Sequence, residues 1–176
     1  MPHRIPILGP CSATITNPTY SRSKALSVWS NNAIGHSHGA GRLDSNQGWS
    51  ARQNQVGQWW QMDLVHSQQV AGVVTQGRTA HNQYVKSYKV QTSQDGRSWS
   101  YADGGKVFTA NTAANNVKVE NKFASPISAR FVRIVVQSWH SHISMRAAAL
   151  VCGGEFLQLI CHKYVYMERR LFLVPF

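Results

Sequence analysis

The alternation of apolar and polar residues across residues 57–151 constrains this chain more than any motif in it. Trp60, Met62 and Leu64 alternate with Gln61 and Asp63, and Val132, Ile134 and Val136 alternate around Arg133. A period of two belongs to strands, whose successive side chains leave on opposite faces. Tyr84, Tyr88 and Val90 are expected to share a further inward face. Turn-forming clusters fall where hairpins need them, at residues 93–98 (SQDGRS), 102–105 (ADGG) and 109–116 (TANTAANN). No window carries a sustained apolar stripe at helical spacing, so the expected class is all-β, a sandwich or jelly roll. The aromatic residues and valines then line the inner faces of packed sheets, each large aromatic burying on the order of 150–250 Å².

A length of 176 residues is room for one ordinary domain with tails. Residues 12–50 are rich in Ser, Asn, Gly and His and read as short strands joined by long loops, where a β scaffold carries its binding residues. After Cys152 the pattern changes to an apolar tail, 153–176, interrupted by His162, Lys163, Glu168, Arg169 and Arg170. That tail is too short and too charged to span a bilayer, and is expected to form an extra strand, a helix or an appendage. The domain is thus placed at 11–152, after an N-terminal extension at 1–10 whose sequence, MPHRIPILGP, lacks the apolar run of a secretory signal.

Eighteen Lys and Arg stand against seven Asp and Glu, a net charge of +11 that points to an anionic partner. Phospholipid head groups, sulfated glycans and nucleic acids all meet that description. The basic residues are scattered over every block, with no helix-turn-helix, zinc finger or aromatic RNA-binding strand beside them, so no specific nucleic acid is expected. Of the three cysteines, Cys11 and Cys152 flank the patterned region and Cys161 is left over. A bridge between the flanking pair, if formed, staples both ends of the domain and implies an oxidising compartment.

Six blocks in order then resemble the discoidin family, also called the coagulation factor V/VIII C-type domain. They are RLDSNQGWSA (42–51), GQWWQMDL (57–64), VAGVVTQGR (70–78), YVKSYKVQTSQDGRSW (84–99), FASPISARFVRIVVQSW (123–139) and HISMRAAALVC (142–152). The resemblance covers 11–152. It implies an eight-stranded, jelly-roll-like β-sandwich of the galactose-binding-domain-like type, closed by a Cys11–Cys152 disulfide, with ligand loops at one end. It also implies an extracellular, non-catalytic module that binds glycans, matrix or cell-surface glycoproteins, or anionic phospholipid. Asp44 and Arg78 fall where ligand-contacting members place an acid and a base. A carboxylate accepts from sugar hydroxyls and a guanidinium donates in a fixed fork, although the same two residues also suit a loop-to-loop salt bridge. Trp29 and the segment His81, Asn82, Gln83 and Tyr84 are expected at the pocket rim, and Trp49 is expected to be largely structural.

Three departures are informative. Gln83 stands where collagen-receptor members carry glutamate, which weakens a collagen reading. Ala148 replaces a usual acid and Val151 a usual glycine, so the C-terminal edge is expected to be slightly repacked. The first loop carries Leu26, Val28 and Trp29 beside Arg22 and Lys24, a set suited to dipping into an anionic membrane; peripheral lipid binding is therefore the alternative function.

Other chemistries are weaker. GHSHG (35–39) matches the G-x-S-x-G elbow of serine hydrolases around Ser37, but no strand–helix alternation surrounds it. His36 with His38, and His140 with His142, are each half of a metal site without an assured third ligand, so no metal is assigned. Five acidic residues between the flanking cysteines make a tight calcium site unfavoured, and no cofactor is expected. Modest affinity per site makes avidity, through repeats or oligomers, the expected route to adhesion.

Overall fold

The computed structural model describes residues 11–153; the extension at 1–10 and the tail from 154, with Cys161, lie outside the described residues. Nine strand segments follow one another: β1 (Ala13–Thr16), β2 (Ser23–Ala25), β3 (Trp49–Ser50), β4 (Trp59–Gln76), β5 (Tyr84–Ser93), β6 (Ser100–Tyr101), β7 (Phe108–Thr109), β8 (Val119–His140) and β9 (Ser144–Cys152). A continuous antiparallel ladder runs β1-β9-β4-β8-β5-β6 and curls into two layers. The long strands β4 and β8 belong to both. The first part of β4 pairs with β2 and with residues 131–135 of β8, whereas its last part pairs with β9 and with residues 119–122 of β8.

β8 occupies one edge of β5, so β6 and β7 lie in succession on the other. Counted as one interrupted strand, they reduce the nine segments to eight positions. This corrects two expected hairpins. ADGG is a 3-10 turn that interrupts the β6–β7 edge, with Asp103 and Gly104 at φ of 47° and 63°. The residues after β7 carry the chain around to the opposite edge of β5, not back along it. SQDGRS does form a hairpin: the Asp95 carboxylate accepts from the N–H groups of Arg97 and Ser98, both at 2.8 Å.

The core lies between the layers. Trp60, Met62, Val132, Ile134 and Val136 meet Met145, Ala147, Ala149 and Val151 across it, as the period of two predicts. Tyr84 departs from the expected pattern. A register irregularity between Val85 and Tyr88 shifts the parity by one, so Val85 joins Tyr88 and Val90 in the core while Tyr84 is only half-buried. β9 shows no alternation because both its faces are covered. Ala148 and Leu150 pack outward against Leu43, Ala71 and Val74, which leaves no room for the acid usual at 148. Cys11 and Cys152 are bonded, with Cα atoms 5.1 Å apart.

On the outer surface the Asp63 carboxylate ties β4 to β8. It accepts from Arg130 Nε at 2.8 Å and Nη2 at 3.0 Å, and from Arg22 Nη1 at 3.3 Å. The Arg130 hydrogen bonds are the main reason its pKa falls to about 2, against the opposing effect of partial burial. A depressed carboxylate pKa contributes stability that is present above about pH 4 and is lost as pH falls towards 2. Both arginines are substantially solvated, so the contribution is on the order of 1 kcal/mol. Urea midpoints measured from pH 5 to pH 2 are expected to fall less steeply in Asp63→Asn than in the wild type; equal slopes would remove Asp63 from the acid response.

Candidate functional site

Three loop systems meet at the end of the sandwich where β4 finishes and β9 begins. β4 ends at Gln76, and Gly77 and Arg78 lead into a loop closed by the Arg78 N–H donating to Gln83 O at 3.1 Å. β3 brings the 35–50 segment alongside through the pairs Trp49–Met145 and Ser50–Ser144. The 3-10 turn Trp29–Asn31, with Ser30 and Asn31 at φ of 54° and 53°, supplies the third wall. Together they enclose a pocket of about 280 Å³ lined by Trp29, His38, Ser50, Arg78, His81, Gln83 and His142. That is near the lower end of small-ligand pockets, roughly 300 Å³.

Arg78 is 5% exposed and held in place: Nε donates to Gln47 Oε1 at 2.8 Å and Nη1 to Gln83 Oε1 at 2.6 Å. Gly48 leaves the adjoining backbone at φ 133°, and a Cβ there would lie 3.6 Å from the Arg78 side chain and 3.7 Å from that of Arg146. Burial lowers the pKa of the guanidinium, which still stays charged at neutral pH. Trp29 is 45% exposed and stands edge-on to His142, ring centroids 5.2 Å apart. His142 Nε2 lies 2.8 Å from Ala51 O and donates to it, whereas His38 Nδ1 is buried with no hydrogen-bond partner.

Of the residues expected from the sequence, Trp29, Arg78, His81 and Gln83 meet in this pocket, and Asp44, Asn82 and Tyr84 do not line it. Asp44 sits behind Gln76 at φ 61°. Its N–H donates to Gln76 Oε1 at 2.9 Å, its Oδ1 accepts from Gln76 Nε2 at 3.0 Å, and Lys118 Nζ is 2.8 Å from Oδ2. The Lys118 contact is the main cause that holds the Asp44 carboxyl below its ordinary range. The salt bridge weighed between Asp44 and Arg78 is therefore not formed; each residue has other partners. Tyr84 stacks on His140 at 4.9 Å, and Asn82 Nδ2 is 3.3 Å from His140 Nε2, so these three form a separate cluster at the surface, with Tyr84 half-buried.

Trp49 is fully buried, its indole N–H donating to Ser27 O at 2.8 Å. Among the membrane-loop candidates, Val28 packs against the core, while Leu26 is 52% exposed. The sequence reading missed Val56, 57% exposed on the neighbouring loop. Ser27 joins the two loops, donating to Gln58 Oε1 and accepting from the Arg52 N–H. GHSHG forms a hydrogen-bonded turn, with Gly39 donating to His36 O and Gly35 to Gly39 O; no α-helix follows it among the described residues, so Ser37 has no elbow. Nor do three His, Cys, Asp or Glu come together as metal ligands among the described residues.

The family model for the F5/8 type C domain matches residues 23–148. The chain belongs to that family. It is 41% identical over 154 residues to lactadherin of Mus musculus, covering 82% of this chain and 33% of the relative, so this F5/8 type C domain spans about a third of that protein's length. Among solved structures, discoidin II of Dictyostelium discoideum is 28% identical with a TM-score of 0.58, over 73% of this chain and 50% of its own. A family 32 carbohydrate-binding module of C. perfringens NanJ, solved in complex with galactose, shares the fold at 18% identity and a TM-score of 0.56, over 78% of this chain and 98% of its own.

His38, His142 and Ser50 were the pocket residues that sequence reasoning did not assign to a ligand. The H-x-H pairs signalled His38 and His142, and Ser50 had no signal of its own; only the β3–β9 pairing brings segments about a hundred residues apart to one wall.

Proposed function

We propose that this F5/8 type C domain is an extracellular, non-catalytic recognition module that binds glycan chains on cell-surface or matrix glycoproteins, in the service of adhesion. The observation that carries this reading is the loop-end pocket, with an exposed indole as one wall and a fixed guanidinium as another. An indole offers a flat apolar face to the C–H side of a sugar ring, and a guanidinium and amides offer directional partners to its hydroxyls. By analogy of fold alone, the galactose-bound family 32 module is in keeping with a sugar at such a site. The disulfide supports an oxidising, extracellular setting.

A glycan array at physiological salt tests it. Trp29 is exposed, so Trp29→Ala is expected to keep its fold and lose binding by at least about ten-fold, the worth of one good contact. Asp44→Ala, outside the pocket, is expected to bind as the wild type does. Retention of full binding by Trp29→Ala would remove this pocket from recognition.

A second reading rests on Leu26, Trp29 and Val56, three exposed apolar tips on two joined loops with Lys24 and Arg52 beside them. Sedimentation with vesicles that requires phosphatidylserine and is abolished by Leu26→Ser with Val56→Ser would put membrane attachment in place of glycan binding.

A further inference from the structure

The loop-end pocket has an unbalanced charge. One arginine and three histidines line it, and no carboxylate does. Arg78 is buried, yet it takes part in none of the ion pairs among the described residues, which are Arg22–Asp63, Arg130–Asp63 and Lys118–Asp44. Two of its N–H groups go to the neutral oxygens of Gln47 and Gln83. A guanidinium has five N–H donors, so about three remain for a ligand. A buried cation without a counter-charge is costly, and an anion from outside meets it at a favourable geometry.

The surroundings reinforce that preference. His38 faces Arg78, His142 and His81, all positive or able to become so. Beyond them, Arg52 bonds Asn31 Oδ1 on the Trp29 turn, Arg146 packs behind Gly48, and His140 stands on Tyr84 beside the loop. The nearest acid in sequence, Asp44, is turned to Lys118. No carboxylate lines the pocket beside His38, and its buried Nδ1 has no hydrogen-bond partner. Burial first, and then Arg78, His142 and His81, push the His38 pKa below its ordinary value.

We propose that this pocket takes a sugar carrying a carboxylate or sulfate, with Arg78 as the fixed cation, and that binding tightens as His38, whose buried Nδ1 has no partner in the protein, gains a proton on the anion's arrival. The inference rests on the glycan reading above and adds the class of sugar and its pH dependence. The linkage has a definite sign. A bound anion favours the protonated form of His38, so complex formation takes up a proton and affinity rises as pH falls. A neutral His38 serving neutral hydroxyls gives the opposite sign or none.

The test is calorimetric titration of the full chain with galacturonate, galactose 6-sulfate and galactose at pH 7.5 and 5.5. The carboxylate and sulfate stay ionised at both values. Both acidic sugars are expected to bind more tightly than galactose, with affinity about ten-fold higher at pH 5.5, the gain from one linked proton over part of that range. His38→Gln is expected to flatten the pH dependence of binding to the acidic sugars, with thermal melting as the check on its fold. Arg78→Gln is expected to erase the preference for the acidic sugars, with thermal melting as the check on its fold. Equal binding of all three sugars, independent of pH, overturns this inference and leaves the glycan reading standing. A wild-type pH dependence that survives in His38→Gln overturns the role given to His38. No binding of any sugar on the array or by titration, with binding to phosphatidylserine vesicles, overturns both and assigns the anion to a head group.

Discussion

Arg146→Met is expected to destabilise the domain by about 3 kcal/mol, read as a lower urea midpoint at unchanged cooperativity. Arg146 lies in β9 at 1% exposure and its guanidinium reaches three separate segments. Nε donates to Gly77 O at 2.8 Å, Nη1 to Ser45 O and Asn116 Oδ1 at 3.0 Å each, and Nη2 to Asn115 O at 2.8 Å. Methionine replaces the apolar stem but ends short of the guanidinium and donates to none of these oxygens. The carbonyls are then left without partners in a site that water reaches poorly. Ser45 and Gly77 belong to the segments that carry Gln47 and Arg78, so the same variant is expected to loosen the pocket and weaken ligand binding. An unchanged midpoint would mean that these loops hold their positions without the arginine.

The joint replacement Cys11→Ala with Cys152→Ala is expected to cost more, about 5 kcal/mol on the loop-entropy model for a separation of 141 residues. Both cysteines are changed so that neither is left to exchange with Cys161. Thermal melting of the oxidised wild type, the reduced wild type and the double variant checks this. Agreement between the last two, well below the first, is the expected pattern. If the double variant melts with the oxidised protein, the β1–β9 ladder and core suffice to hold the ends.

The layers and most of the core were legible in the sequence because β4 and β8 each bury one face, and a half-buried strand writes its period into the chain. Where both faces are buried the signal vanishes, which is why MRAAALVC showed no alternation although β9 is central. A one-residue irregularity within β5 was also invisible: it moved Tyr84 out of the face shared by Tyr88 and Val90 without changing composition. At the site, Arg78 stands in a family block, 70–78, whereas Trp29 lies outside those blocks and was offered only as an aromatic of the first loop. Asp44 was misplaced because direction, not position, decides what a loop side chain meets, and its left-handed backbone aims it at Lys118. His38 and His142 entered the pocket through strand pairing at long range, which local pattern does not encode. Gln47, which fixes Arg78, had no signal of its own; an amide in a loop looks like any other.

The bond between Cys11 and Cys152 also decides how the domain carries mechanical load. The pocket flanks the start of β9 at Ser144, and the bond closes the other end of that strand, about 26 Å away at a rise of 3.3 Å per residue. Tension applied between the chain connections at Cys11 and Cys152 passes through sulfur and bypasses the sheet, so the β1–β9 ladder is not unzipped from its end. Tension arriving from a ligand in the pocket runs lengthwise along β9 and the strands beside it, shearing many hydrogen bonds together instead of peeling them one by one. On the adhesion reading proposed above, load between the pocket and the chain connections would thus be borne in shear.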